Sequence, residues 1–165
     1  MIPRYRIHIS PLKKLLYRQE AACDQDHSAA ILCSSDFSPI TGHIPFKYFI
    51  RLEFQDTHDP SNCNSFRPEQ AEAIKRFLSE LPDGITDLFI ACDAGSSRSP
   101  AIAAALFRAS RRSDKAIWIN PRNYPNPLVY KTLCSAFHLI TPKLLVDCKL
   151  RANRRAYRKK QQSKA

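Results

Sequence analysis

The chain has 165 residues, of which 44% are hydrophobic and 25% charged; this is the composition of one globular domain with a core and excludes a wholly disordered protein. Its longest purely apolar stretch, Ala101 to Phe107, falls far below the roughly 20 residues of a membrane span. The N-terminal MIPRYRIHIS lacks the apolar centre of a secretory signal, so a soluble, cytoplasmic protein is expected. The net charge of +11 is uneven. Of 26 basic residues, eight lie in 149–165 beside no acid, which leaves 18 basic against 15 acidic residues in the body and assigns most of the basicity to a tail.

Tyr5 to Ile9 alternates apolar and polar residues and predicts a short strand, with a helix from Pro11. Ala29 to Cys33 is an apolar strand broken by Ser34-Ser35-Asp36, and Gly42 and Pro45 mark a loop. Tyr48 to Phe54 alternates, with Ile50, Leu52 and Phe54 on one face, and runs into the polar loop Gln55 to Pro60. Pro68 suits a first helical position, and Ile74, Phe77, Leu78 and Leu81 carry the apolar stripe of a helix stopped by Pro82-Asp83-Gly84. Leu88 to Cys92 reads as a strand covered on both faces, and Pro100 to Ala109 as a buried helix. Asn126-Pro127 looks like a cap and first turn, followed by the stripe Tyr130, Leu133, Cys134 and Phe137. Strands alternating with helices predict an α/β fold, a central mainly parallel sheet flanked by helices, over residues 1–148, with a basic tail at 149–165.

The six cysteines are scattered without a C-x-x-C pair. That pattern argues against a disulfide framework. Cys23, His27 and Cys33 fit no four-ligand zinc spacing, so no metal is expected.

Chemistry concentrates in LFIACDAGSSRSPAIAAALF: strand, loop, helix, with Cys92 at the strand end and Arg98-Ser99 at the helix start. Asp93, Ala94, Gly95, Ser96 and Ser97 between them are small or short. Such a loop can curl its backbone N–H groups inward as an anion nest, backed by the helix N-terminus. The guanidinium of Arg98 offers a fork for two phosphate oxygens. So much positive potential favours a thiolate at Cys92, able to attack phosphorus while the cradle stabilises the equatorial oxygens. Ser99, read as the N-cap, can donate its hydroxyl to that thiolate. The bland reading is packing: a buried cysteine at a strand end, then a Ser-Pro helix start. The glycine within the loop, the strand before it and the buried helix after it favour a site.

Cys92, five residues, Arg98 and then Ser99 resemble the signature of the cysteine-dependent protein tyrosine and dual-specificity phosphatases, and most of all the small bacterial-type dual-specificity-like enzymes. The resemblance spans about residues 29–140. It implies a strand–phosphate-loop–helix core and hydrolysis of phosphate monoesters through a cysteinyl-phosphate, without metal or cofactor. It also implies an upstream Asp that protonates the leaving oxygen. Asp56 matches that position, and Asp59 is its rival. Two departures stand out: Ala91 replaces the family's His before the nucleophile, and 61–64 lengthen the interval from Asp56 to Cys92. Low-molecular-weight phosphatases share a similar segment, but place it near the N-terminus, whereas 91 residues precede it here. Two other readings remain: a phosphate-binding module without turnover, supported by Ala91, and a nucleic-acid binder or RNA-directed phosphatase using the tail.

Over Lys149 to Lys160 a helix is expected to be basic almost all round, suited to nucleic acid or another anionic surface, or else a solvated extension. His58, between Asp56 and Asp59, is placed to tune the acid. Trp118 and Tyr124, with Arg122, are candidates for lining a pocket, although packing suits the Trp.

Overall fold

Period-2 alternation and apolar runs become four strands in the computed structural model, which describes residues 2–17, 26–39 and 44–162. In chain order they are β1 (Arg6–Pro11), α1 (Leu12–Tyr17), β2 (Ser28–Ser34), β3 (Tyr48–Glu53), α2 (Pro68–Glu80), β4 (Asp87–Cys92), α3 (Arg98–Ala109), α4 (Lys115–Ile119), α5 (Pro127–Ala136) and α6 (Lys143–Gln162). The sheet runs β1-β4-β2-β3, and every pairing is parallel. Chain crossovers between parallel strands put helices on both faces, so this is an α/β fold of the expected class.

The two faces of the sheet are unequal. Leu88, Ile90 and Cys92 of β4 and Ala29, Ile31 and Cys33 of β2 join the large core with α2, α3 and α5. Ala91, Ala30 and Leu32 point the other way, into a smaller cluster with Leu12 of α1, Ile44 and Phe46. Every residue of β2 is buried, as a central strand covered on both sides requires. The ladder pairs Cys92 with Pro11 on one side and Cys33 on the other. Three strands therefore end together, at the carboxyl edge where open α/β sheets bind ligands.

Several helix ends differ from the sequence expectation. Helix α3 begins at Arg98, with Ser97 as its N-cap, so Ser99 is not the cap but the second helical residue. Pro100 then occupies the third position, which it tolerates because first-turn N–H groups have no intrahelical partner. The basic segment is not a separate tail: residues 149–162 continue α6 without a break. Nor is that helix basic all round. Val146 and Asn153 are buried, and Leu150 packs on the core.

Asp114 anchors this end of the molecule. It accepts from Trp118 Nε1 at 3.1 Å, Tyr130 OH at 2.9 Å and Lys149 Nζ at 2.5 Å. Burial and the neighbouring Asp114 carboxylate push the Tyr130 hydroxyl far above its ordinary range. Asn153 Nδ2 donates to the carbonyls of Trp118 at 3.0 Å and Asn123 at 2.7 Å. No helix among the described residues is long and apolar enough to cross a membrane.

Candidate active site

Strand β4 delivers Cys92 to the sheet edge and α3 carries Arg98 and Ser99 back beneath it. The loop between them turns at Gly95, whose φ of +68° is left-handed. A Cβ there would lie 2.4 Å from Pro11 N and 2.6 Å from the Ser10 carbonyl carbon. Only glycine lets the loop cross the end of β1 so closely.

The loop's backbone is held from outside. Ser96 O accepts from Tyr124 N–H at 2.6 Å, and Ser97 O accepts from Asn126 N–H at 3.3 Å. In a trans peptide the next N–H points opposite to the carbonyl, so those of Ser97 and Arg98 turn away from the 124–126 segment. Gly95 N–H is spent on Cys92 O at 3.0 Å. The expected cradle of N–H groups across 93–98 therefore excludes Gly95.

Cys92 is 1% exposed, and its Sγ lies 3.1 Å from Ser99 Oγ. The hydroxyl is thus placed to stabilise a thiolate from within the helix rather than from its cap. Cys33 is the ladder partner of Cys92. Burial above all, and then the charge of Cys92, push its thiol far above the ordinary range.

Arg98 is buried at 4% exposure. Its Nη1 donates to Phe54 O at 2.7 Å and to Ser35 Oγ at 3.2 Å, and its Nη2 donates to Asp93 Oδ2 at 2.6 Å. Its Nε–H is buried without a partner among the described residues. The side chain of Asp93 does not line the cradle. It is turned toward the end of β2, where Ser34 Oγ donates to it at 2.7 Å and Ser35 N–H at 3.3 Å. Burial pushes its carboxyl up, but the hydrogen bonds from Ser34 and Arg98 and the Arg98 charge hold it below the usual range.

Asp56 reaches the loop across 41 residues of sequence: its Oδ1 accepts from Ser97 Oγ at 2.9 Å and from Asn126 Nδ2 at 2.7 Å. Asp59 instead accepts from Ser61 Oγ at 2.7 Å and Ser61 N–H at 2.9 Å within its own loop. Those bonds hold its carboxyl below the usual range, which is unhelpful in a proton donor. His58 is exposed on the same loop. Ala91, on the far face of the sheet, is fully buried in the smaller core cluster.

The sequence pattern did not disclose three supports: Ser34 and Ser35, which read only as a strand break, and Asn126, which read only as a helix cap. Asn126 does cap α5, its Oδ1 accepting from the N–H groups of Leu128 at 2.9 Å and Val129 at 3.2 Å. Its other amide atom holds Asp56. Trp118 is buried as packing, whereas Tyr124 is exposed beside the loop. No group of three or more metal-binding side chains occurs among the described residues, and Cys23 lies outside them. No family model matches the chain, and neither a curated protein nor a solved structure matches it.

Proposed function

We propose that this protein is a cysteine-dependent phosphatase of the dual-specificity-like type, hydrolysing phosphate monoesters through a cysteinyl-phosphate. The observation that carries the reading is the state of Arg98. A buried donor left without a partner costs about 1–3 kcal/mol, and the unpaired Nε–H of Arg98 sits in the same loop as Cys92. An oxyanion bound there satisfies it. Nε–H and the second hydrogen of Nη2 grip two phosphate oxygens together, while Ser35, Phe54 and Asp93 fix the rest of the guanidinium.

In the first step Cys92 Sγ attacks phosphorus in line, so that the S–P bond forms as the P–O bond to the leaving group breaks. Asp56 gives its proton to the departing oxygen. Arg98 and the N–H groups at the start of α3 stabilise charge on the three equatorial oxygens. In the second step the Asp56 carboxylate takes a proton from water as that water attacks phosphorus. The S–P bond breaks, inorganic phosphate leaves, and the Cys92 thiolate returns to the Ser99 hydroxyl.

Ala91 favours one second reading: a phosphate-binding module without turnover, since no imidazole stands before the cysteine. Turnover of a generic aryl phosphate decides between them. The phosphatase reading expects turnover by the wild type, none by Cys92→Ser, and a phosphorylated Cys92 peptide after acid quench. A wild type inert toward the ester, with phosphate still bound, establishes the binding module instead.

A further inference from the structure

We propose that the substrate of this site is a single-stranded nucleic acid bearing a terminal phosphate monoester, guided to the 92–98 loop along α6. This rests on the phosphatase reading and adds a substrate class to it.

The rotation of α6 about its axis is fixed. Val146, Asn153 and Leu150 face inward, and Lys149 is tied to Asp114. That orientation turns Arg151, Arg154, Arg155, Arg158 and Lys159 outward, and all five are exposed. Asp147 is the one acid in the helix. Basic residues four apart on a helix are about 6 Å apart along its axis, close to the spacing of successive phosphates on a nucleic-acid strand. Both rows, 151-155-159 and 154-158, have this spacing.

The basic face adjoins the site through an aromatic pair. The Tyr157 and Tyr124 rings meet edge-on at a centroid distance of 5.2 Å. Both are partly exposed, at 37% and 43%. The backbone N–H of Tyr124 is bonded to Ser96 O inside the candidate loop. Base–aromatic stacking contributes about 1–3 kcal/mol per base, whichever the base, so the exposed rings offer a terminal nucleotide a stacking surface next to the loop at Ser96. Asp36 and Asp59 are exposed on the loops after β2 and β3. The exposed cations of α6 draw a polyanion to that face.

The test uses the full chain and oligonucleotides of one sequence ending in a 5′-phosphate, a 3′-phosphate or hydroxyls only. Binding is read by fluorescence anisotropy on Cys92→Ser across a salt series, and phosphate release is read on the wild type. One phosphorylated end should bind at least about tenfold tighter than the hydroxyl form. Affinity should fall with salt at about 0.7 log units per phosphate contacted, a slope of roughly −2 to −3.5 for three to five contacts. Arg154→Glu with Arg158→Glu, and separately Tyr124→Ala, should lower kcat/KM on the oligonucleotide at least about tenfold more than on an aryl phosphate. Equal binding of phosphorylated and hydroxyl ends overturns the proposal, as do equal losses on both substrates. So does faster turnover of a phosphotyrosine peptide, or tighter binding to phosphatidylserine vesicles. An inert aryl phosphate defeats the phosphatase reading alone, because the preference for a phosphorylated end is measured on a variant that needs no turnover.

Discussion

The carboxylate of Asp93 and the guanidinium of Arg98 meet at 2.6 Å, five residues apart on opposite limbs of one loop. An acid inside a loop that binds an anion works against the ligand unless it faces elsewhere. Asp93 does face elsewhere, gripped by Ser34 and Ser35 at the end of β2. It acts as a brace that transmits the position of the sheet to Arg98.

Removing the charge of that brace should be felt at Arg98. Hydrogen bonds to charged groups contribute about 1.5–3 kcal/mol, and 1.4 kcal/mol is a factor of ten. Asp93→Asn should therefore lower kcat/KM by about tenfold or more, with phosphate inhibition weakened in parallel and thermal stability reduced as well, since the same bond holds the buried Arg98. The pH dependence has a definite sign. Because the folded carboxyl is held below its ordinary value of about 3.9, the pair is intact above that value and is lost only as pH falls through the lowered one. Between pH 5 and 8 the ratio of wild-type to Asp93→Asn rates should be constant. A ratio that changes across that window assigns the titration to a different role for Asp93.

Asn126 joins the α5 cap to the proposed acid, Asp56, in one side chain, and substitutions can separate the two. Asn126→Ala removes the α5 cap, at about 0.5–2 kcal/mol, and frees Asp56. Asn126→Ser restores a capping oxygen but is too short to replace the amide bond to Asp56. Thermal denaturation should show the serine variant recovering most of the stability lost by the alanine variant, while turnover of a poor leaving group stays depressed. Asp56→Asn should cost about 10²–10⁴ on such a substrate, and less on an activated aryl ester. Asp59→Asn should remain near wild type, since the Asp59 carboxylate bonds to Ser61 within its own loop and not to the 92–98 segment.

What the sequence made legible was local. The alternation in Tyr48 to Phe54 and the apolar run before Cys92 identify strands without outside information, and Cys92 with Arg98 and Ser99 compresses a loop into a readable pattern. The start of α3 was misplaced because Ser99-Pro100 imitates a cap and first residue equally well. The supports of the site were hidden by distance in the chain: Asp93 meets Ser34 from 59 positions away, and Asp56 meets Asn126 from 70. The inward face of α6 was hidden for another reason. Its central residue, Asn153, is polar, and only its two backbone carbonyl partners make burying it favourable.

The ion pair between Asp114 and Lys149 is a test of whether α6 belongs to the domain. Both side chains are largely buried, at 7% and 15% exposure, and Asp114 also serves Trp118 and Tyr130. Removing one partner of a buried pair costs about 3–5 kcal/mol. Asp114→Ala should lie in that range by urea denaturation, and Lys149→Met should cost less, because its stem packing survives and Asp114 keeps two donors. Truncation before Lys149 should destabilise the whole domain cooperatively. A truncated chain that melts like the full one would make α6 an independent appendage.

Gly95 gives the sharpest test of the loop. At φ +68° a side chain brings a penalty of about 1–2 kcal/mol, and the added Cβ would lie 2.4 Å from the backbone nitrogen of Pro11. Neither side can yield cheaply. Pro11 is the last residue of β1 and is in register with Cys92, so moving it disturbs the strand pairing that supports the site. Gly95→Ala should therefore lose at least about 1–2 kcal/mol, and it should lose phosphate binding along with turnover, since the cradle itself is displaced. Gly84→Ala is the matched control. A Cβ there meets only His27 Cδ2 at 3.8 Å, an ordinary contact, and Gly84 is not in the left-handed region. Removing chain entropy from the unfolded state at a compatible glycine stabilises by about 0.4–1 kcal/mol, so Gly84→Ala should be neutral or slightly stabilising with full activity. Thermal denaturation and phosphate binding measured together on the two variants decide the matter. A Gly95→Ala protein that behaves like Gly84→Ala would mean the loop does not pass over Pro11 as described.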